Sequence, residues 1–274
     1  MDGKDLKIYV IGYSDNTSTS YLLDFLLKNG VDIEGVIFPK NKAKLSWKRL
    51  AKKIEVRGFL PAIRRICENI LIRRGHIAQI CRDRIKKVFF VDEINSKEVR
   101  EILISDQVDL VLLTATPIIK PILIDTDGLT ILNAHTGWLP QYRGLDANLK
   151  ALRDGHKLGV SVHKVAERID AGEIYLREEF AIDFSGDIME QLDRKEIELA
   201  GKLFLKAIDL KSKQTLRPIA TNEELGTYES PLTKAEKKMI VQKIRNDTKL
   251  SPLKFSLTHK DQRSANSQDK YNVK

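Results

Sequence analysis

The sequence is short of cysteine and of long apolar runs. Only Cys67 and Cys81 are cysteines among its 274 residues, too few for a disulfide framework or a cysteine-based metal site. No apolar stretch approaches the roughly 20 residues that cross a bilayer. The first seven residues carry two acids and lack the basic and apolar regions of a signal peptide. These absences predict a soluble protein of a reducing cytoplasm.

Charge is plentiful but unevenly placed. The chain has a net charge of +9, yet the segment 40–87 alone holds sixteen Lys and Arg against three acidic residues. A basic zone of this kind favours phosphate-bearing partners, namely a nucleotide-sugar diphosphate, a nucleic acid or an anionic membrane surface. A solvated helix face explains the same charges equally well. Apolar residues at helical spacing predict two amphipathic helices inside this zone, at 47–54 and 63–71.

Outside the basic zone, strand and helix patterns alternate. Short β-branched or apolar runs predict strands, whereas 3.6-residue periodicity predicts the helices between them. The strands are predicted at 7–13, 31–38, 88–91, 109–114, 129–135, 159–165 and 173–182, the last two antiparallel to part of the sheet. This alternation is typical of an α/β fold, a Rossmann-like doubly wound mixed sheet that is mostly parallel, with helices on both faces.

The composition changes after about residue 215. Residues 1–215 carry the alternating pattern and are predicted to form the main domain, which includes the basic segment 40–87. Residues 216–250 are polar with one helical stretch and are expected to form a short C-terminal appendage. Residues 251–274 have the composition of a disordered tail.

Two polar side chains stand at the carboxyl end of a predicted central strand. Asn133 and His135 are two residues apart, so both side chains point to the same face of the strand. In open α/β sheets this edge is where ligands bind. Asp170 lies in a turn between two later strands, where an acid can also satisfy local backbone donors.

Four ordered blocks resemble the formyltransferase family, which includes glycinamide ribonucleotide, methionyl-tRNA and sugar N-formyltransferases. The blocks are Asn133-Ala-His135, Leu139-Pro140 with Tyr142-Arg-Gly144, Gly159-Val-Ser-Val-His163, and Ile169-Asp-Ala-Gly-Glu-Ile174. A single Asn-x-His would mean little, but four blocks in order at these spacings are a specific signal. The resemblance implies formyl transfer from N10-formyltetrahydrofolate to an amine, without a metal.

The resemblance also implies roles for individual residues. The family's catalytic asparagine, histidine and aspartate fall on Asn133, His135 and Asp170. An amide N–H can donate to the oxyanion of a tetrahedral intermediate, a histidine can relay the proton that leaves the amine, and a carboxylate can orient that histidine. The segment Thr114-Ala115-Thr116-Pro117-Ile118 resembles the stretch whose backbone recognises the pterin. Tyr142, Arg143 and Gly144 are substrate-contact candidates, with loop architecture as the alternative.

The acceptor is inferred by elimination. The loop after the first strand, 12–18, has one glycine rather than the Gly-rich phosphate loop of the purine-pathway enzymes, and the polar end of the chain is shorter than the β-domain of the tRNA enzymes. An amino sugar on a nucleotide therefore remains the best acceptor. The alternatives are methionyl-tRNA, hydrolysis of formyl-folate, and a non-catalytic protein that binds RNA or a membrane through 40–87. A homodimer is a further hypothesis. His163 is expected to be structural or to support the catalytic residues without contacting the substrate, and Asp146 is expected to interact with a helix dipole.

Overall fold

The computed structural model describes residues 5–40, 77–222 and 225–250, the last four of these without their side chains. The predicted amphipathic helices at 47–54 and 63–71 and the predicted tail at 251–274 lie outside the described residues. Within the described ranges no helix is both long and apolar enough to cross a membrane.

A seven-stranded sheet organises the molecule. Its strands are β1 (Ile8–Gly12), β2 (Gly35–Pro39), β3 (Lys87–Val91), β4 (Leu110–Thr114), β5 (Thr130–His135), β7 (Gly159–Lys164) and β8 (Ile174–Glu179). They lie in the order β3-β2-β1-β4-β5-β7-β8. The pairs from β3 to β5 are parallel, whereas β7 runs antiparallel to both β5 and β8. Two short strands, β6 (Tyr142–Arg143) and β9 (Thr227–Tyr228), pair separately.

The helices between the strands cover both faces of the sheet. They are α1 (Thr17–Lys28), α2 (Ile77–Arg84), α3 (Lys97–Ser105), α4 (Pro121–Ile124), α5 (Ala147–Asp154), α6 (Ile188–Ser212) and α7 (Lys234–Leu250). One apolar core lies between the sheet and helices α1, α2 and α6, and a second lies between the sheet and helices α3 and α4. The prediction of a mostly parallel, doubly wound α/β sheet is confirmed.

The two central strands β1 and β4 are fully buried. All five residues of β1 and of β4 are buried, as expected for parallel strands covered on both faces. Two predicted boundaries are wrong, and the strand expected at 173–182 ends at Glu179. The strand expected at 31–38 begins only at Gly35, because Val31 instead closes the end of α1 by donating its N–H to the carbonyl of Leu26.

A third apolar cluster holds the end of the described chain. Ile240 and Ile244 of α7 pack with residues of α5, among them Leu149. The helix predicted at 233–245 is therefore present, and it lies against the element that follows the predicted Tyr142-Arg-Gly144 block.

Candidate active site

The strand order places the candidate residues at one edge of the sheet. The chain runs outward from β1 to β2 and β3 and then returns to β4, which pairs with the other side of β1. Ligands bind at the carboxyl ends of strands beside such a reversal. Asn133 and His135 lie in the last three residues of β5, and Asn133 is in register with Leu113 near the end of β4.

The imidazole of His135 is buried and contacts two oxygens. Its Nε2 lies 2.7 Å from the backbone carbonyl of Tyr142, and its Nδ1 lies 3.3 Å from Oδ2 of Asp170. A carbonyl can only accept, so Nε2 must carry a proton. Nδ1 is then the nitrogen that can take up a second proton, beside a carboxylate that would stabilise the resulting imidazolium.

Burial controls the resting state of this histidine. Desolvation lowers the pKa of His135 below its ordinary value, and the nearby charge of Asp170 opposes that shift without overcoming it. His135 is therefore neutral near pH 7. A neutral imidazole is the form that can accept a proton.

Asp170 joins the two histidines of the site. Its backbone is left-handed, with φ of 49°, which turns the carboxylate back toward β5. Oδ2 accepts the N–H of Gly144 at 2.9 Å, and Oδ1 lies 3.4 Å from Nε2 of His163. Burial alone would raise the pKa of Asp170, but the hydrogen bond with His163, the nearby His135 and the Gly144 N–H hold it well below its usual range. The carboxylate is therefore ionised at neutral pH.

His163 belongs to this cluster. It lies on β7 directly opposite Asn133, and its Nε2 is 3.2 Å from Nδ2 of Asn133. Its Nδ1 donates to the carbonyl of Lys164 at 2.9 Å, and its Nε2 lies between the Asn133 amide and the Asp170 carboxylate. The sequence predicted a structural or supporting part for His163, and its contacts with Asn133 and Asp170 are those of a supporting residue.

A cavity opens beside Asn133 on the side of α1 and α6. It has a volume of about 220 Å³, and none of the described residues that line it is basic. Its polar lining comes from α1, the ends of β4 and β5, and α6: Ser18, Thr114, Asn133, Thr136, Asp193 and Glu196. The lining offers hydroxyl, amide and carboxylate groups, which suit hydroxyl and ammonium groups of a ligand.

The predicted folate segment follows directly from β4, next to Asn133. Thr114 is buried, Ala115 has a positive φ of 49°, and Ile118 is 64% exposed. Asn95 holds the end of the segment, because its amide donates to the carbonyl of Ile118 and accepts the N–H of Lys120. Thr116 and Pro117 lie between these points, with Pro117 exposed. Folate binding by 114–118 stays a prediction.

The candidates for substrate contact lie beside the catalytic cluster. Tyr142 and Arg143 are both buried, and Tyr142 and Gly144 contact the cluster through their backbones, as described above. Their contact with substrate stays a prediction. Asp146 occupies the N-cap position of α5, but its side chain makes no capping hydrogen bond. Its carboxylate instead accepts from the Leu232 N–H at 3.1 Å and pairs with Lys237 at 2.5 Å.

Trp138 lies in the loop that follows His135. Its ring lies 4.7 Å from the guanidinium of Arg177 and 5.3 Å from the ammonium of Lys157. Arg177 also donates to the carbonyl of Leu139 at 2.9 Å. These cation–π contacts fix the loop to β8 and to the start of β7.

Comparison with known proteins agrees with this geometry. The formyl transferase family profile matches residues 6–208. The chain belongs to the formyl transferase family. Methionyl-tRNA formyltransferase from Thermotoga maritima is 23% identical over 219 residues, which cover 78% of this chain and 62% of the relative. The chain spans between 44% and 62% of the length of four methionyl-tRNA formyltransferases that it matches.

Solved structures of the family share the fold. The glycinamide ribonucleotide transformylase 1 of Symbiobacterium toebii has a TM-score of 0.56 at 20% identity, over 80% of this chain and 92% of that one. The formyltransferase PseJ of Anoxybacillus kamchatkensis has a TM-score of 0.53 at 18% identity, over 87% and 97%. That structure is a complex with a UDP-linked formamido sugar and tetrahydrofolate. At these identities the likeness establishes the fold.

The ionisable residues that meet at the site are His135, His163 and Asp170. In the described part of the chain, no group of three or more His, Cys, Asp and Glu side chains is arranged to hold a metal ion. The cluster instead combines two histidines, one carboxylate and one amide, a set suited to moving protons and to hydrogen bonding.

Proposed function

We propose that this formyl transferase moves the formyl group of N10-formyltetrahydrofolate onto the amino group of a nucleotide-linked sugar. One observation carries the proposal: Asn133, His135 and Asp170 converge at the carboxyl end of β5, where Asn133 lines a cavity. The reaction forms a bond between the acceptor nitrogen and the formyl carbon and breaks the bond from that carbon to N10. The amine loses a proton, and N10 of the departing folate gains one.

Asn133 supplies the donor for the negative charge that develops on the formyl oxygen. The amide nitrogen lies 3.2 Å from Nε2 of His163, and Asn133 is one of the residues that line the cavity. We assign its second N–H to the reacting oxygen. A neutral amide donates without ionising. Such donors lower the barrier by about 3–4 kcal/mol in comparable oxyanion sites.

His135 and Asp170 carry the proton. The neutral imidazole accepts it at Nδ1, since Nε2 already donates to Tyr142. The resulting cation lies 3.3 Å from an ionised carboxylate, so the charge that forms is stabilised where it appears. The same proton is then available to N10, which completes the balance of the reaction.

The folate fits the side of the site formed by the two loops after β4 and β7. Ile118 in the first loop and Ile169 in the second expose apolar surface, at 64% and 37%. Exposed aliphatic side chains beside a polar cluster are typical of a ligand site. They suit the flat pterin, and the backbone of 114–118 can supply its hydrogen bonds.

The cavity suits the acceptor. Asp193 and Glu196 contribute carboxylates to its lining, while Ser18 and Thr136 contribute hydroxyls. Carboxylates attract an ammonium group and accept from sugar hydroxyls, and they repel phosphate. We therefore place the amino sugar in the cavity and its diphosphate outside, towards solvent. The sugar-nucleotide complex of PseJ supports this choice of acceptor.

Methionyl-tRNA is the second candidate acceptor, because methionyl-tRNA formyltransferases are the curated relatives that match. Protein would be mixed with N10-formyltetrahydrofolate and each of four additions: a TDP-linked amino sugar, a UDP-linked amino sugar, methionyl-tRNA, or buffer alone. Folate release is followed by absorbance and the product by mass.

A formylated sugar nucleotide is the expected product, and His135→Ala should abolish its formation without unfolding the protein. If formyl-methionyl-tRNA is the preferred product, the acceptor is methionyl-tRNA and not a nucleotide-linked sugar. Formate release at full rate in buffer alone would show a hydrolase. Full transfer by His135→Ala would contradict the mechanism.

A further inference from the structure

Strand β6 lies directly behind the catalytic pair. The carbonyl of Tyr142 accepts from Nε2 of His135 at 2.7 Å, and the N–H of Gly144 donates to Asp170 at 2.9 Å. Three consecutive residues therefore hold both proton-transfer partners through backbone groups. A displacement of this strip would move both partners at once.

The other side of the strip is held by the C-terminal segment. Strand β9 pairs with β6, with Tyr142 opposite Thr227 and Arg143 opposite Tyr228. The N–H and the hydroxyl of Thr227 both donate to the carbonyl of Gln141, at 3.3 and 2.9 Å. The ring of Tyr228 lies against Gly144, where an added Cβ would stand 2.9 Å from Cε2.

The ladder between β6 and β9 has only two residue pairs and is not stable alone, because isolated short ladders are marginally stable in water. Helix α5 provides the anchors. The ammonium of Lys150, which is 1% exposed, donates to the carbonyl of Glu229 at 2.9 Å. Arg153 makes two hydrogen bonds, both of 3.1 Å, to the carboxylate of Glu229. Asp146 holds the segment further on through Lys237.

The buried lysine is the costly part of this arrangement. Taking an ammonium group out of water is unfavourable unless it is paired and hydrogen-bonded, and burial lowers the pKa of Lys150 against the raising effects of Glu229 and Asp146. Its ammonium donates to the backbone of the segment beside β9. Burial of Lys150 therefore fixes the position of that backbone.

We propose that residues 225–237, which lie beyond the 6–208 that match the family, are positioning residues that hold His135 and Asp170 in register through β6. The inference rests on the proposed formyl transfer. The segment touches neither the formyl group nor the acceptor in this account. It acts through the carbonyl of Tyr142 and the N–H of Gly144.

The direct test is Lys150→Met, which keeps the side-chain volume and removes the bond to Glu229. A second variant, Glu229→Ala with Lys237→Met, removes the two ion pairs from the segment itself and leaves the buried core intact. Both should lower kcat about tenfold, since small misplacement of catalytic groups is costly, and KM for the folate should stay within twofold. The conservative pair Glu229→Gln with Lys237→Arg should restore kcat.

The matched control is Asp209→Ala with Lys213→Met, which removes an exposed ion pair of 2.7 Å on α6 and should leave kcat unchanged. The measurements are made at a temperature where circular dichroism shows every variant folded. If Lys150→Met fails to fold, the double variant decides. A kcat within twofold of the parent in the folded variants would overturn the proposal.

A second readout does not depend on turnover. The Nε2 proton of His135 is buried and hydrogen-bonded, so its signal in a histidine side-chain ¹H–¹⁵N spectrum should exchange slowly with water. In the two test variants it should exchange faster, and in the control it should not. If the parent protein formylates none of the acceptors, the proposed function fails separately. An unchanged signal in both variants would still overturn the positioning role.

Discussion

The sheet carries a polar cluster at each edge, and the two clusters are built differently. At the amino edge the hydroxyl of buried Tyr9 donates to Asp106, whose carboxylate also pairs with Lys87 at 2.7 Å. Lys86 pairs with Glu34 at 2.9 Å nearby. Each acid there has a lysine partner, so the charges are closed into pairs.

At the carboxyl edge Asp170 faces two histidines, and no lysine or arginine in the described part of the chain pairs with it. Asp170 is ionised, His135 is neutral, and Asn133 lines a cavity. This cluster can accept a proton and can donate a hydrogen bond to a ligand, whereas the charges of the amino-edge cluster are already paired with one another. The first cluster is therefore suited to stabilising the fold, and the second to the proposed chemistry.

The largest expected effect comes from Asn133→Ala. Removing an oxyanion donor should lower kcat by about 10²–10³, with little change in folate affinity, because the interaction forms chiefly in the transition state. Steady-state kinetics on the formylated acceptor would measure it. The control is Asn29→Ala at the exposed end of α1, which should keep full activity. A loss of less than tenfold in Asn133→Ala would remove the oxyanion role.

Asp170→Asn should change the pH dependence of kcat/KM. The charge of Asp170 raises the pKa of His135, so its removal should lower that pKa further. The acidic limb of kcat/KM, expected below about pH 6.5 in the parent, should then move to lower pH while kcat falls about 10²-fold. An unmoved limb would show that another group controls it.

The same variant should change acid stability. The pKa of Asp170 is lower in the folded chain than in the unfolded one, so its contribution is present above about pH 4 and is lost as the pH falls. His135 has a lowered pKa when folded, so the unfolded chain binds protons first below about pH 6.5 and stability falls there too. Urea titrations between pH 3 and 7 should show a shallower loss of stability below pH 4 in Asp170→Asn.

At the amino edge, Tyr9→Phe should cost stability and not activity. It removes the buried hydroxyl that donates a hydrogen bond to Asp106. The loss should lower the free energy of unfolding by about 1–2 kcal/mol. Chemical denaturation would measure the loss, and kcat should stay within twofold of the parent. A large fall in kcat would contradict the division between the two edges.

The smallest effect is expected from Lys86→Ala. Its pairs with Asp32 and Glu34 lie at the surface, where side-chain entropy and solvent screening cancel most of the attraction. The melting temperature should move by no more than about 1 °C, and 0.5 M salt should remove the difference. A larger, salt-resistant shift would show that the pair is less solvated than its exposure indicates.

Local patterns sufficed for the sheet, whereas the resemblance to a family named the three catalytic candidates. Apolar runs placed β1 and β4, and the Asn-x-His spacing placed two side chains on one face of β5. Lys150 shows what such patterns miss. A lysine in a short helix is expected to face solvent, and here it is covered by residue 229, which lies 79 positions further along the chain. Burial of that kind depends on tertiary packing, which periodicity does not encode.

The contacts of His163 could not be predicted for a related reason. Its strand was predicted, but its partner across the sheet is fixed by the antiparallel register of β5 and β7, which a single sequence does not specify. The positive φ of Asp170 is also invisible in the residue type. Both features decide where the carboxylate lies.

Trp138, held between Arg177 and Lys157 in the loop after His135, gives the molecule an optical reporter. The chain has only two tryptophans, Trp47 and Trp138, so Trp47→Phe leaves a single indole three residues from the catalytic histidine. Nearby cations shift the emission of an indole. Movement of this loop as ligands arrive would therefore be visible as a change in fluorescence, on the time scale of a single turnover.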